Sequence, residues 1–80
     1  MPGLSEREQE WATKASRFLK AEVKRAGLTY AELAERLTKH GVEETEGPIG
    51  AKLARGTFSV TFFLACLTVL GITVLALADL

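Results

Sequence analysis

The hydrophobic positions of the chain recur with a helical period in its first half and merge into a long apolar stretch near its end. In residues 5–26 one side of a helix would carry Trp11, Ala15, Phe18, Leu19, Val23 and Ala26. Ser5 and Glu8 have the spacing of a capping box, and Gly27 suits the end of a helix. We therefore predict a first amphipathic helix with Trp11 and Phe18 in the core.

A second helix is predicted between Thr29 and Gly41. Thr29 and Glu32 form another capping box, and Gly41 is a suitable stop. The predicted buried face consists of Leu33, Ala34 and Leu37. This helix has explicit signals at both ends and a clear apolar side.

A short third helix follows an acidic turn that contains Glu43, Glu44 and Glu46. Proline is tolerated in the first turn of a helix and not in its interior, so we expect this helix to begin at or just before Pro48. Its predicted end is Gly56. The three segments together indicate an all-α chain up to this point.

The stretch from Thr57 to Ala78 has no charged residue, and its 22 residues are enough to cross a bilayer. Ser59 and Gly71 divide it, however, and predict a helix whose main apolar stripe is Val60, Phe63, Leu64, Leu67 and Leu70. The other helices each need a surface to bury their apolar side, so a central core helix is favoured over a membrane anchor. Residues 72–80 fit either a last helical turn or a short strand.

Length and composition narrow the function. Eighty residues make one domain, for which we expect a disordered tail at residues 1–5. The sequence does not begin like a secretory signal, so we expect a cytoplasmic location. One cysteine and one histidine are too few for a disulfide or a zinc site, and no catalytic triad or glycine-rich phosphate loop is present. We expect no enzyme activity, no cofactor and no metal.

Residues 27–37 resemble the second-helix region of λ-repressor/Cro-like helix-turn-helix domains, in which a Gly-Leu-Thr-x-x-Glu-Leu-Ala segment precedes the turn. Ile49, Leu53, Arg55 and Gly56 are similar to the end of the recognition helix in that family. The resemblance covers about residues 14–78. Residues 41–67 also resemble small bacterial proteins of this type that have no established function. The resemblance implies a domain of four or five helices that binds double-stranded DNA, acts as a homodimer and regulates transcription.

The same resemblance implies a DNA-binding surface on this chain. The helix that ends at Arg55 would dock in the major groove, and six side chains would contact phosphates or sugar edges: Tyr30, Lys39, Thr45, Lys52, Arg55 and Thr57. The outward positions of that helix are Gly47, Pro48, Gly50 and Ala51, which have no side-chain group that could read a base edge.

Two other functions stay open. Ten basic and ten acidic residues cancel, and the turn before the third helix is acidic, which phosphates would repel. A helix-turn-helix scaffold with a small, acidic reading surface is also suited to binding a protein partner. The third interpretation, which the composition favours least, is a tail-anchored membrane protein.

Overall fold

Four α-helices and one short 3-10 helix make up the regular structure of the computed structural model, which describes residues 5–80. Their bounds are Glu6–Arg25 (α1), Tyr30–Lys39 (α2), Glu46–Arg55 (α3), Val60–Val69 (α4) and Leu77–Asp79 (the 3-10 helix). The predicted all-α class is confirmed. Residues 1–4 of the predicted tail lie outside the described residues, and Ser5 is the N-cap of α1.

Side-chain caps fix the starts of α1 and α2. The Glu8 amide donates to the Ser5 hydroxyl at 3.2 Å, and the Ser5 amide donates to the Glu8 carboxylate at 3.3 Å. In α2 the Glu32 amide donates to Thr29 Oγ1 at 3.1 Å, and the Thr29 amide donates back to Glu32 at 2.9 Å. Hydrogen bonding from Thr29 to the charged carboxylate, chiefly from its backbone amide, lowers the pKa of Glu32 below its ordinary value. Both predicted capping boxes are confirmed.

The ends of the helices are set by Gly27, Gly41, Gly56 and Gly71, each with a positive φ. At Gly56 the reason for glycine is steric as well as conformational. A Cβ there would lie 2.8 Å from the carbonyl carbon of Ala12 and still nearer its oxygen. The end of α3 therefore touches the backbone of α1, and only glycine fits at this crossing.

The core lies where α2 and α3 face α1 and α4. It contains the predicted α2 face together with the inward residues of the other helices: Leu19, Val23, Leu33, Ala34, Leu37, Ile49, Leu53, Phe62 and Cys66. Burial raises the pKa of the Cys66 thiol to about 12, so this cysteine is a protonated, apolar core group.

The predicted inward side of α1 is wrong in part, because the helix is rotated. Ala12 and Ser16 are buried together with Leu19 and Val23, whereas Trp11 is 60% exposed and Phe18 is only half-buried. The cause is the close contact with α3, which requires small side chains on this part of α1. The Ser16 hydroxyl donates to the backbone carbonyl of Leu53, which has no partner within the last turn of α3.

α4 is a core helix, as predicted, but the predicted main stripe is wrong in part. Its two fully buried side chains are Phe62 and Cys66, from the secondary stripe. Val60 and Leu64, from the predicted main stripe, are 72% and 55% exposed. The helix is apolar on nearly every side, so hydrophobicity alone does not determine which side faces inward.

The strand considered for residues 72–80 is not formed. Residues 72–76 have no regular structure, and the 3-10 helix follows from Leu77. A strand needs a neighbour to satisfy its backbone groups, and no strand occurs within residues 5–80 to supply one.

Within the same residues, no single helix has both the length and the hydropathy needed to cross a membrane. The pair α3 and α4 passes that test only jointly, and its two helices are bent by 113°.

Candidate nucleic-acid interface

The connection between α2 and α3 is the candidate site, and its shape is fixed by one threonine. Thr38 Oγ1, in the last turn of α2, donates to the Ala34 carbonyl at 2.9 Å. The same oxygen accepts the Glu44 amide at 3.4 Å. These bonds hold the acidic turn against α2, so the start of α3 has a defined position relative to the helix before it.

One side of α3 is presented to solvent over its whole length. Ile49 and Leu53 are buried, and the outward residues are exposed: Thr45, Glu46, Gly47, Pro48, Ala51, Ala54 and Arg55. Gly50 is predicted to face outward, but it faces α2, where a Cβ would lie 3.8 Å from the ring of Tyr30. The two helices therefore approach closely, and the outward side of α3 consists mainly of small side chains.

Lys52 forms an ion pair with Glu44 and is held inside the protein. The Glu44 side chain is only 7% exposed and that of Lys52 29%. The Lys52 ammonium also lies 4.6 Å from the centre of the Phe62 ring, a cation–π contact. Lys52 thus connects the acidic turn, α3 and α4, and its charge is neutralised within the domain.

The six predicted site residues fall into three groups. Lys39, Thr45 and Lys52 meet at the α2–α3 junction, where Thr45 borders two shallow depressions, one beside each lysine. Arg55 and Thr57 flank Gly56 at the C-terminal end of α3, about 15 Å along the helix axis from Thr45. Lys52 also belongs to the last turn of α3, and its side chain reaches back to Glu44. Tyr30 is the first residue of α2, and its half-buried ring packs against the core.

The electrostatics of the two ends of α3 differ. At the junction the Lys39 ammonium lies 3.8 Å from the Glu35 carboxylate, and exposed Glu46 borders the same depression as Lys39. Both partners of that pair are at least 70% exposed, so it contributes little to stability. At the other end Arg55 is exposed and forms no salt bridge with any residue from 5 to 80. Of the three basic candidate residues, Arg55 is therefore the one that is exposed and forms no salt bridge within residues 5–80.

Two contacts of this region were not foreseen. The Glu44–Lys52 pair joins residues eight positions apart across a turn, beyond the i, i+4 spacing that identifies pairs on one helix. The Ser16–Leu53 bond joins α1 to α3 across 37 positions. Within the described part of the chain, no three histidine, cysteine, aspartate or glutamate side chains lie close enough to hold a metal ion.

The fold defines a small all-α domain in which two consecutive helices, α2 and α3, form one exposed surface. The chain belongs to a family described as a domain of unknown function, DUF6471, which matches residues 11–75. No curated protein and no solved structure matched the chain.

Proposed function

We propose that this protein is a DNA-binding helix-turn-helix domain, a small transcription regulator of the bacterial type that acts as a homodimer in the cytoplasm. The observation that supports this best is the exposed outward side of α3, held against α2 and ending in the free guanidinium of Arg55. Binding, not catalysis, is the proposed activity.

The geometry favours contacts to the DNA backbone over contacts to bases. Gly47, Pro48 and Ala51 allow α3 to approach the duplex closely, but they have no side-chain donor or acceptor for a base edge. Phosphate contacts position a protein on DNA without specifying sequence. We therefore expect weak discrimination between sequences, with any preference arising from the shape of the groove.

The six candidate contacts have different roles in this proposal. Arg55 and Lys39 supply the charged phosphate contacts, and Thr45, Thr57 and the Tyr30 hydroxyl supply neutral hydrogen bonds. Lys52 stabilises the folded interface and does not contact DNA, because Glu44 and the Phe62 ring already hold its ammonium.

A mobility-shift titration with random-sequence duplex DNA tests the proposal. In 50 mM salt we expect Arg55→Ala to weaken binding to all sequences by about 100-fold, because the variant removes one phosphate-binding arginine from each protomer of the dimer and each contributes about tenfold. Lys24→Ala is the matched control, since it removes one exposed positive charge from α1 about 18 Å along that helix from the Ala12–Gly56 contact. Equal effects of the two variants would show that the contact is non-specific attraction to the whole surface.

A protein-binding domain is the second candidate, and the acidic junction favours it. The exposed Glu35 and Glu46 border a depression that also contains the small residues Ala31 and Ala34, and exposed Glu43 borders the depression beside it. Such a surface is suited to a basic peptide. If the folded protein fails to bind duplex DNA even in 20 mM salt, this candidate replaces the first. Titration with a lysine-rich peptide then tests it, with Glu46→Gln expected to weaken binding.

A further inference from the structure

An apolar groove lies where α1 meets the start of α4, away from the α2–α3 junction. It is lined by Trp11, Ala15, Phe58, Ser59, Val60, Phe63 and Leu80. The ring centres of Phe58 and Phe63 lie 6.0 Å apart, and those of Phe18 and Phe63 lie 6.5 Å apart. The groove thus has an aromatic floor, with the exposed Trp11 and Val60 at its sides.

The apolar surface continues beyond the groove. Leu64 lies one turn after Val60 on α4, and Leu77 begins the 3-10 helix that precedes Leu80. From their exposed fractions, four side chains (Trp11, Val60, Leu64 and Leu77) present about 500 Å² of apolar surface. A protein–protein interface of standard size covers about 800 Å² per partner, and in homodimers about 65% of that area is apolar. The apolar area needed is therefore about 500 Å² per partner, which matches the area exposed here.

The charges around the groove fit a second copy of the same chain. None of the side chains that line it is charged, so a two-fold contact between them would bury no charged side chain. The formal net charge of the chain is zero, and two copies therefore do not repel each other. Lys14, whose ammonium lies 4.6 Å from the centre of the Trp11 ring, suits the polar rim of a protein interface.

We infer that this groove is the homodimer interface, in which Trp11, Val60 and Leu64 of one copy pack against the same side of the other. The inference rests on the proposed function in one respect: it supplies the contact surface of the homodimer proposed there. It is tested without DNA, so the dimer and the DNA contact can fail separately.

Analytical ultracentrifugation from micromolar to millimolar concentration tests the interface, with the emission of Trp11, the one tryptophan, as a second signal. We expect a mass that rises towards twice the 8.7 kDa of one chain. The Trp11 emission should shift to the blue over the same concentration range, because the indole leaves water.

Charged substitutions on α4 locate the interface. Val60→Glu and Leu64→Glu should each raise the dimer dissociation constant by more than about 100-fold, since every two-fold dimer would bury the carboxylate twice. Thr61→Glu is the matched control: it places the same charge in the same first turn of α4 as Val60→Glu, at an exposed residue that does not line the groove. Circular dichroism checks that each variant keeps its helices.

Two results would overturn the inference. One is a wild-type chain that stays monomeric to millimolar concentration. The other is a dimer that Val60→Glu and Leu64→Glu weaken no more than Thr61→Glu does. A wild-type monomer that sediments with vesicles of anionic lipid, with a blue shift of Trp11, would assign the groove to a membrane surface instead.

Discussion

The contact between Gly56 and Ala12 determines how α3 is placed against α1, and substitution of Gly56 by alanine tests it. Gly56 has a φ of +71°, and a Cβ there would lie 2.8 Å from the carbonyl carbon of Ala12. The atom in the way belongs to the backbone of α1. It cannot rotate aside, so the whole end of α3 must move.

The structure separates two contributions to the expected loss. A left-handed φ costs an alanine about 1 kcal/mol relative to glycine. Relief of the clash resembles overpacking of a core and costs about 2 kcal/mol more. Gly27 has nearly the same φ, +73°, and open space around its Cβ position, so Gly27→Ala incurs only the first contribution. We expect losses in unfolding free energy of about 3 kcal/mol for Gly56→Ala and about 1 kcal/mol for Gly27→Ala.

Urea denaturation followed by circular dichroism measures both variants at one protein concentration, since a dimer makes stability depend on concentration. With a slope of about 1 kcal/mol per molar urea, the midpoint should fall by about 3 M for Gly56→Ala and about 1 M for Gly27→Ala. Equal shifts in the two variants would refute the close contact between α1 and α3.

Four further outcomes follow from single contacts. Ser16→Ala should lower the unfolding free energy by about 1–3 kcal/mol in urea denaturation, because it leaves a buried carbonyl of α3 without a donor; no change would contradict the bond. Lys52→Met keeps the apolar stem but leaves the Glu44 carboxylate unpaired, and should cost about 2 kcal/mol, a loss that Glu44→Gln in the same chain partly restores. The pKa of Glu32 is lowered on folding, so its contribution to stability is present above the ordinary glutamate pKa and disappears as the pH falls through the pKa of the folded state. Glu32→Gln should therefore reduce the loss of unfolding free energy at acid pH, and an unchanged acid dependence would contradict this. Burial raises the pKa of Cys66 to about 12, so iodoacetamide should modify it only after unfolding, and rapid labelling of the folded chain would argue against its burial.

Much of the fold is predictable because its signals are local. The capping boxes at Ser5 and Thr29, the cap at Ser59 and the glycine stops follow from residues within one helical turn of each other. Local signals do not determine which side of α1 faces inward. It depends on Ala12 and Ser16 being small enough for α3 to approach, and a hydrophobic pattern gives more weight to Trp11 and Phe18.

The candidate site was harder to predict than the helices that carry it. The sequence pattern groups Lys52 with the other basic side chains of the interface, but the turn folds back so that Glu44 neutralises the Lys52 ammonium. The inward side of α4 was equally hidden, since a helix that is apolar on every side shows no preferred direction. Both features depend on contacts between elements that are distant in sequence.

The salt dependence of DNA affinity tests the central proposal most directly. Fluorescence anisotropy of a labelled random-sequence duplex, titrated between 20 and 200 mM salt, gives the slope of log K against log salt. Lys39 and Arg55 of two protomers make four phosphate contacts, which predicts a slope of about −3.6, reduced to about −1.8 in Arg55→Ala. Absence of binding at 20 mM salt, or the same slope in the variant, would contradict a DNA contact made by the end of α3.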